Sequence, residues 1–273
     1  MHQNAHYLLD IRPAGKYPAE YFYYAGGVPA VMEAIKENLN LDVMTVTGKT
    51  LGENLEELKN NGYYENCQTF LDKINLKSTD IIRPYDDPIG KDGTIAILKG
   101  NLAPDGAVIK HSACPQEMMQ AVLRARPFDS EEAAIDAIIK KQIKPGDAVF
   151  IRYEGPKGSG MPEMFYTGEA ISSDQELAKS IALITDGRFS GASKGPVIGH
   201  VSPEASEGGP IALIEENDLI KIDVPQRTSQ EITKILKERH AKWKPKEPKY
   251  KNGILSIYTK LATSPMNGGK MKG

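Results

Sequence analysis

Two polar side chains, Glu163 and Ser190, stand where the sequence predicts tight turns on either side of a buried strand. Glu163 ends a glycine-rich stretch with the sequence EGPKGSGMPE at 154–163, and such a loop lets a carboxylate approach a hard cation such as Mg²⁺. Ser190 lies in the sequence TDGRFSG at 185–191, directly after an apolar run. A serine there can hold a substrate oxygen, or act as an alkoxide base if a metal ion lowers its pKa.

Simpler roles are open for both residues. Ser190 can cap its own turn and do nothing else, and Glu163 can be an isolated exposed glutamate. A hydrolytic triad of Ser190 with His200 and Asp186 is disfavoured, because residues 187–191 lack the Gly-x-Ser-x-Gly spacing of a nucleophile elbow. The local sequence alone favours the capping role of Ser190.

Short strands separated by glycine and proline turns are predicted for the region that would position these residues. The predicted strands are residues 94–98, 107–109, 148–153, 181–185, 211–214 and 219–224. One helix is predicted up to residue 139, with Asp129 as its N-cap and Glu132 completing a capping box. The pattern indicates a mixed, β-barrel-like carboxyl-terminal domain with flanking helices.

The preceding region has a different pattern. Apolar residues at helical spacing over 29–36, a β-branched run at 42–46 and a second helix beginning at Thr50 predict helix, strand and helix. Residues 59–80 are polar and asparagine-rich and predict a connection or an irregular pair of helices. We therefore interpret the first part of the chain as the end of an α/β domain, so that the whole chain belongs to the α/β class.

Composition narrows the possible partners. The 273 residues carry a formal net charge of −2 and are 40% hydrophobic, which is typical of a globular protein and gives no overall field for nucleic acid or an anionic membrane. The sequence predicts no membrane span and, by default, a cytoplasmic location. Cys67 and Cys114 have neither disulfide-framework nor zinc-site spacing, which favours two free buried thiols. The lysines between 242 and 251 predict a solvated surface segment.

An ordered set of motifs extends over nearly the whole chain. The motifs are RPAGKY (12–17), AGGVPA (25–30), TVTGKTLGEN (45–54), KGNLAPDGAVIK (99–110), EGPK (154–157), GMPE (160–163), TDGRFSG (185–191), HVSPEA (200–205) and EGGP (207–210). Together they resemble the dihydroxy-acid dehydratase and sugar-acid (aldonate) dehydratase family.

The resemblance implies a hydro-lyase that removes water from a 2,3-dihydroxy carboxylate to give a 2-keto acid. It implies Mg²⁺ and an iron–sulfur cluster of the [2Fe–2S] type as cofactors, which suit the substrate oxygens and the leaving hydroxyl. By position in the motifs, Glu163 resembles the Mg²⁺ ligand and Ser190 resembles the base that acts on the α-carbon. Arg188, Lys194 and His200 are further candidates for substrate contacts.

One departure from the family pattern is the absence of the cluster cysteines from this chain, since Cys67 and Cys114 lie outside the family's cluster motifs. The resemblance is therefore to the carboxyl-terminal half of the enzyme. Residues 1–75 resemble the final part of the amino-terminal α/β domain, residues 81–265 resemble the barrel domain, and residues 266–273 are expected to be a flexible tail.

Three interpretations follow. The chain is a dehydratase subunit that needs a cluster-bearing amino-terminal half, a non-catalytic fragment, or, least in keeping with its motifs, a stand-alone enzyme. Residues 99–106 and 184–191 favour the branched-chain amino-acid substrate, whereas FYYAGG (22–27) and ASKGP (192–196) favour a sugar acid. The resemblance also implies a homodimer of the complete enzyme.

Overall fold

The chain divides into two compact units, Met1–Thr94 and Ile95–Gly273. The described part of the first unit consists of helices joined by loops. The structure is a computed structural model that describes residues 5–230 and 233–273. The helices of the first unit are α1 (Ala19–Tyr24), α2 (Gly27–Ala34), α3 (Leu51–Asn60), α4 (Tyr63–Asp72) and α5 (Ser78–Ile81). Ala25, Leu71, Ile81 and Ile82 form its apolar cluster.

The predicted helix start at Thr50 is confirmed, and its cause is a capping box. Thr50 Oγ1 accepts a hydrogen bond from the Glu53 backbone N–H at 3.2 Å, and the Glu53 carboxylate accepts one from the Thr50 N–H at 2.7 Å. Two amides that lack partners inside helix α3 are satisfied in this way.

The strand predicted at residues 42–46 is wrong. Its only bridge among the described residues joins Met44 to Thr50, and Val43, Met44 and Val46 are all exposed. A β-branched run favours a strand only where a neighbouring strand can pair with it. In this unit the run forms a loop that leads into α3.

The second unit is built on an eight-stranded sheet in the order β1-β2-β6-β5-β4-β3-β7-β8. The strands are β1 (Ala96–Leu98), β2 (Gly106–Ile109), β3 (Gln120–Phe128), β4 (Asp147–Ile151), β5 (Ala182–Thr185), β6 (Val197–Ser202), β7 (Leu219–Asp223) and β8 (Thr228–Gln230). Strands β3, β4, β5 and β6 are parallel to one another, and the outer strands pair antiparallel. The predicted mixed α/β class with a barrel-like sheet is confirmed.

Apolar clusters cover both faces of the central strands, and every residue of β4 and β5 is buried. Phe150 and Ile184 share one cluster with residues of β1, β2 and β7, so the sheet curls around that side. Val149 and Leu183 point to the opposite face, because successive strand residues alternate, and pack with apolar residues of the flanking helices. This double burial explains why these strands read as continuous apolar runs.

The helices of the second unit are α6 (Glu131–Ile139), α7 (Pro156–Ser159), α8 (Phe165–Ser172), α9 (Leu177–Ser180), α10 (Thr233–His240) and α11 (Ile254–Leu261). The N-cap of α6 is Ser130, whose Oγ accepts the Ala133 N–H at 3.2 Å, so the predicted cap at Asp129 is wrong. Asp129 instead pairs with Arg152 at 2.6 Å. Over the described residues, no helix has both the length and the apolar character needed to cross a membrane.

Five of the six predicted strands are confirmed with small changes in their bounds. The sixth, 211–214, is wrong, because residues Pro210–Leu213 form a 3₁₀ turn. Pro210 occupies the first position of that turn, where its fixed φ favours a helical start and its missing N–H is not needed. Strands β3, β6 and β8 were not predicted.

The lysine-rich segment near the carboxyl end lies on the surface of the second unit, and all its lysines between 242 and 251 are exposed, so the prediction of a solvated surface segment is confirmed. Lys246 pairs with Asp129, and Lys249 Nζ lies 3.1 Å from a carboxylate oxygen of the buried Glu154. Residues 266–273 are predicted to form a flexible tail. Within them, Met271 forms a β-bridge with Ala262, which follows α11. Whether that tail is flexible stays a prediction.

Substitution of Phe150 tests the central position of β4. Phe150 has no exposed surface and lies in the larger apolar cluster, so Phe150→Ala removes a full aromatic side chain and leaves a cavity. We expect a loss of about 3–5 kcal/mol in the free energy of unfolding, measured by urea denaturation. Tyr166→Ala, at an exposed position on α8, serves as the control and should change that energy by less than about 0.5 kcal/mol.

Candidate functional site

The loop that carries Glu163 lies against the loop that carries Ser190. Glu163 and Arg188 form a parallel bridge, and the Met164 N–H donates to the Arg188 carbonyl oxygen at 2.9 Å. Arg188 Nε also donates to the Met161 carbonyl oxygen at 3.0 Å. The structure therefore brings together the two segments whose spacing suggested chemistry.

Ser190 forms a tight turn through both its side chain and its backbone. The Ala192 N–H donates to Ser190 Oγ at 3.1 Å, and the Ser193 N–H donates to the Ser190 carbonyl oxygen at 3.1 Å. Ser190 is half-buried, so its side chain is held by the turn and still reaches solvent. The capping role is present in the structure, and a role as base stays a prediction.

A second strand supports this turn from the side. Lys110 follows β2 directly, and its ammonium donates a hydrogen bond to the Gly191 carbonyl oxygen. Three residues later, the Ala113 carbonyl oxygen accepts the Gly195 N–H at 3.0 Å. Burial lowers the pKa of Lys110, since its half-buried side chain is partly desolvated.

His200 and Lys194 are the other two candidates for substrate contacts, and they take different positions. The His200 N–H donates to the Gly187 carbonyl oxygen at 2.9 Å, and burial together with the positive charge of Arg188 lowers the pKa of its imidazole. His200 therefore lies beside the turn as a neutral ring at neutral pH. Lys194 instead lines a cavity of about 180 Å³ against helix α8.

Three buried carboxylates lie behind these loops, and none of them was predicted as a site residue. Glu154, Asp186 and Glu204 are each at most 2% exposed. The Asp186 carboxylate accepts backbone N–H groups of three residues: Tyr153 at 3.2 Å, Glu154 at 3.0 Å and Ala205 at 2.8 Å. It thus joins the loops that follow β4, β5 and β6.

Each of the other two carboxylates also has partners. Glu204 accepts the Lys157 and Gly158 N–H groups, both at 3.0 Å, and Glu154 accepts from the Ser159 hydroxyl and pairs with Lys249. The hydrogen bonds described for the Asp186 carboxylate run to backbone amides and not to His200, which argues against a hydrolytic triad. All three residues lie in the motifs EGPK, TDGRFSG and HVSPEA, but their burial was not predicted, because acidic side chains are rarely buried.

Comparison with known proteins identifies the family. A family model described as dihydroxy-acid/6-phosphogluconate dehydratase C-terminal matches residues 80–269. The chain belongs to this family. The corresponding N-terminal model matches residues 1–54, and the predicted resemblance is confirmed.

Curated relatives with the name dihydroxy-acid dehydratase match along nearly the whole chain. The protein of Agathobacter rectalis is 50% identical over 266 residues, which are 96% of this chain and 44% of that protein. The proteins of Caldanaerobacter subterraneus subsp. tengcongensis and Methanococcoides burtonii are 47% and 46% identical, each over 96% of this chain and 45% of the relative. This dehydratase-family chain therefore spans about half the length of the curated relatives it matches.

Two of the three buried carboxylates in this family member, Asp186 and Glu204, have raised pKa values. Burial raises the pKa of Asp186 to about 6, against the opposing effect of its three backbone hydrogen bonds. Burial also raises the pKa of Glu204 to about 7, and the charge of Asp186 adds to that rise. Both shifts have desolvation as their main cause, because a charged carboxylate loses its hydration in the interior.

The free energy of unfolding should therefore fall as the pH rises from 5 to 8, because Glu204 loses its proton over this range. The pKa of Glu204 in the folded state, about 7, lies above its usual value of 4.5, so the folded state binds the proton more tightly. Its contribution is most favourable below pH 4.5 and is lost as the pH rises through 7. We expect the free energy of unfolding of Glu204→Gln, relative to the unmodified protein, to rise by about 2–3 kcal/mol between pH 5 and pH 8.

Urea denaturation across this pH range measures the effect. Glu169→Gln, at an exposed position on α8, is the control and should leave the pH dependence unchanged. A difference between Glu204→Gln and the unmodified protein that stays constant from pH 5 to pH 8 would contradict the raised pKa.

The described residues do not by themselves fit the Mg²⁺ ion and the iron–sulfur cluster that the sequence resemblance implies. Among them, no group of three or more His, Cys, Asp or Glu side chains is placed to hold a metal ion, and Glu163 supplies one carboxylate. Cys67 and Cys114 are free and half-buried, and burial raises the pKa of the Cys114 thiol to about 11. Cluster ligation needs thiolates, so a protonated thiol at Cys114 does not suit it.

Proposed function

We propose that this chain is the carboxyl-terminal part of a hydro-lyase that converts a 2,3-dihydroxy carboxylic acid to a 2-keto acid, as in a dihydroxy-acid dehydratase. The observation that carries the proposal is the bridge between Glu163 and Arg188, which places the GMPE loop beside the serine turn. The high identity to relatives named dihydroxy-acid dehydratase supports the same reading.

In this proposal Ser190 Oγ removes the proton from the α-carbon of the substrate. The 3-hydroxyl group leaves as hydroxide and takes the enol O–H proton to become water, and Ser190 returns the proton it removed to C3, which gives the 2-keto acid and restores the ionised serine. The Ala192 N–H, 3.1 Å from Ser190 Oγ, would stabilise negative charge on that oxygen. A base held on a rigid turn loses little entropy when it meets the substrate.

The flanking residues would bind the substrate. The Arg188 guanidinium offers charge to a carboxylate, and the neutral imidazole of His200 can exchange a hydrogen bond with a hydroxyl. Lys194 is exposed and lines the cavity beside α8, where its ammonium would donate to a sugar hydroxyl.

Glu163 would contribute one ligand to a Mg²⁺ site, and the remaining ligands and the cluster would come from elsewhere. We propose that a cluster-bearing amino-terminal half completes the site and that the complete enzyme is a homodimer. Residues 1–75 would then be the last part of the amino-terminal domain, and residues 81–265 the carboxyl-terminal barrel domain. The cytoplasmic location stays a prediction from the sequence.

A sugar-acid dehydratase is the second candidate. The matching family is described by both dihydroxy-acid and 6-phosphogluconate dehydratases, and the ASKGP segment at 192–196 places a lysine close to Ser190 in sequence. A polar substrate favours hydrogen-bonding contacts, whereas a branched-chain substrate favours apolar ones. A non-catalytic fragment is the third interpretation.

A fusion protein tests these alternatives. The amino-terminal part of the Agathobacter rectalis dihydroxy-acid dehydratase is joined to this chain, purified without oxygen, and supplied with iron, sulfide and Mg²⁺. Keto-acid formation is measured from 2,3-dihydroxyisovalerate and from gluconate, with the chain alone as the control.

We expect turnover of 2,3-dihydroxyisovalerate by the fusion and none by the chain alone. Turnover of gluconate only would favour the sugar-acid candidate. A folded, cluster-loaded fusion that acts on neither substrate would contradict the proposed function, and turnover by the chain alone would contradict the need for a second half.

A further inference from the structure

A lysine, a peptide unit and the candidate base lie in series at the Ser190 turn. The Lys110 ammonium donates to the Gly191 carbonyl oxygen, and the Ala192 N–H donates to Ser190 Oγ at 3.1 Å. These two groups are the opposite ends of one planar peptide unit, the one that joins Gly191 to Ala192. The lysine therefore contacts one end of the dipole whose other end contacts the serine oxygen.

Hydrogen bonds arranged in series polarise one another. A cation on a peptide oxygen draws electron density toward that oxygen and makes the N–H of the same peptide a stronger donor. A bond in which one partner is charged is about twice as strong as a neutral one, and it is more effective where water is partly excluded. Lys110 is half-buried and Gly191 is exposed, so the lysine stem is shielded on one side while water reaches the contact on the other.

The scaffold holds this series in place. Lys110 directly follows Ile109, which has no exposed surface and pairs with Ile198 of strand β6. A second contact, from the Gly195 N–H to the Ala113 carbonyl oxygen at 3.0 Å, joins the same two segments three and four residues further on. Two contacts fix both the distance and the orientation of the segment that contains the peptide.

We propose that Lys110 is a positioning residue for the Ser190 base, acting through the Gly191–Ala192 peptide to orient and strengthen the N–H that stabilises charge on Ser190 Oγ. The proposal rests on the proposed function for its catalytic meaning. Its physical content, a stronger N–H donor at Ala192, concerns this chain alone and is tested without turnover.

The test replaces the serine hydroxyl by a group whose ionisation is easy to follow. In the full chain carrying Cys67→Ala and Cys114→Ala, the substitution Ser190→Cys introduces a single thiol, and its pKa is measured from thiolate absorbance and from the pH dependence of alkylation. Lys110→Met then removes the charge with little change in side-chain length, and Lys110→Arg restores it. Lys140→Met, at an exposed lysine on the surface after α6, is the control.

We expect the introduced thiol to have a pKa below its ordinary value of about 8.5, and Lys110→Met to raise that pKa by about 0.5–1 unit. Lys110→Arg should reverse most of the rise, and Lys140→Met should cause none. A thiol pKa that is the same with and without Lys110 would overturn the proposal.

The NMR chemical shift of the Ala192 amide proton shows whether Lys110 acts on residue 190 through the Gly191–Ala192 peptide or only through its charge. In the chain with Ser190 intact, the Ala192 amide proton should move upfield in Lys110→Met, because its donor strength falls. A shifted thiol pKa with an unchanged Ala192 resonance would overturn the relay through the peptide.

The kinetics of the fusion protein test whether Lys110 also affects the reaction. Lys110→Met should lower kcat about 3- to 10-fold, in line with the expected pKa change, and leave KM within about 2-fold, because the effect falls on charge that develops during the reaction. If the fusion is active and Lys110→Met leaves kcat unchanged, the positioning role fails. If the thiol and amide shifts appear but the unmodified fusion is inactive, the proposed function fails and the relay stands.

Discussion

Ser190→Ala in the fusion protein should lower kcat for 2,3-dihydroxyisovalerate by about 10³-fold or more while KM changes little. The substitution removes the only atom that would accept the α-proton in the proposed reaction, and a positioned acid or base typically accounts for 10²–10⁴-fold in rate. An interaction used only in the transition state appears in kcat rather than in KM.

A structural effect of the same substitution must be measured beside it. Ser190→Ala also removes the acceptor of the Ala192 N–H, which costs about 1 kcal/mol in the free energy of unfolding at this half-buried turn. Ser193→Ala is the matched control, because Ser193 lies in the same turn and bonds Ser190 through its backbone N–H, which the substitution keeps. A loss in kcat of less than 10-fold for Ser190→Ala would contradict the assignment of the base.

Asp186→Ala should destabilise the protein by about 3–5 kcal/mol. The substitution leaves the buried amides of Tyr153, Glu154 and Ala205 without their acceptor, and each unsatisfied buried donor costs about 1–3 kcal/mol. Removal of a buried carboxylate relieves some desolvation, so the total is smaller than the sum of three such costs. Urea denaturation measures the free energy of unfolding.

Two further variants sharpen this test. Asp186→Asn retains one acceptor oxygen, which can serve the Tyr153 and Ala205 amides together, so its loss should fall between zero and that of Asp186→Ala. Asp105→Ala, at an exposed aspartate before β2, should change the energy by less than about 0.5 kcal/mol. A loss below 1 kcal/mol for Asp186→Ala would contradict its role in joining the three loops.

Local sequence patterns were sufficient for several elements. Strands β4 and β5 were predicted from continuous apolar runs, because strands buried on both faces need such runs. Helix α3 was predicted from Thr50, because its capping box lies within four consecutive residues. The family was likewise recognisable from ordered motifs, since those depend on residue identity and order alone.

Strands β3 and β6 illustrate what local patterns miss. Strand β3 contains Arg124 and Arg126, whose charged groups pair with Asp147, and strand β6 contains Gly199 and His200. Charged residues and glycine are uncommon in strands, so propensity argues against both assignments. Pairing with β4 and β5 supplies the hydrogen bonds that outweigh those preferences.

The sequence by itself determined the family, the strands at the centre of the sheet and the candidacy of Glu163 and Ser190. Only the tertiary structure decided that their two loops adjoin, that Asp186 and Glu204 are buried, and that Lys110 reaches the Ser190 turn. The physical reason is distance along the chain. Residue type and short-range spacing encode caps, turns and apolar runs, whereas burial of a carboxylate and contact of a lysine with a residue 81 positions away depend on how the strands pair.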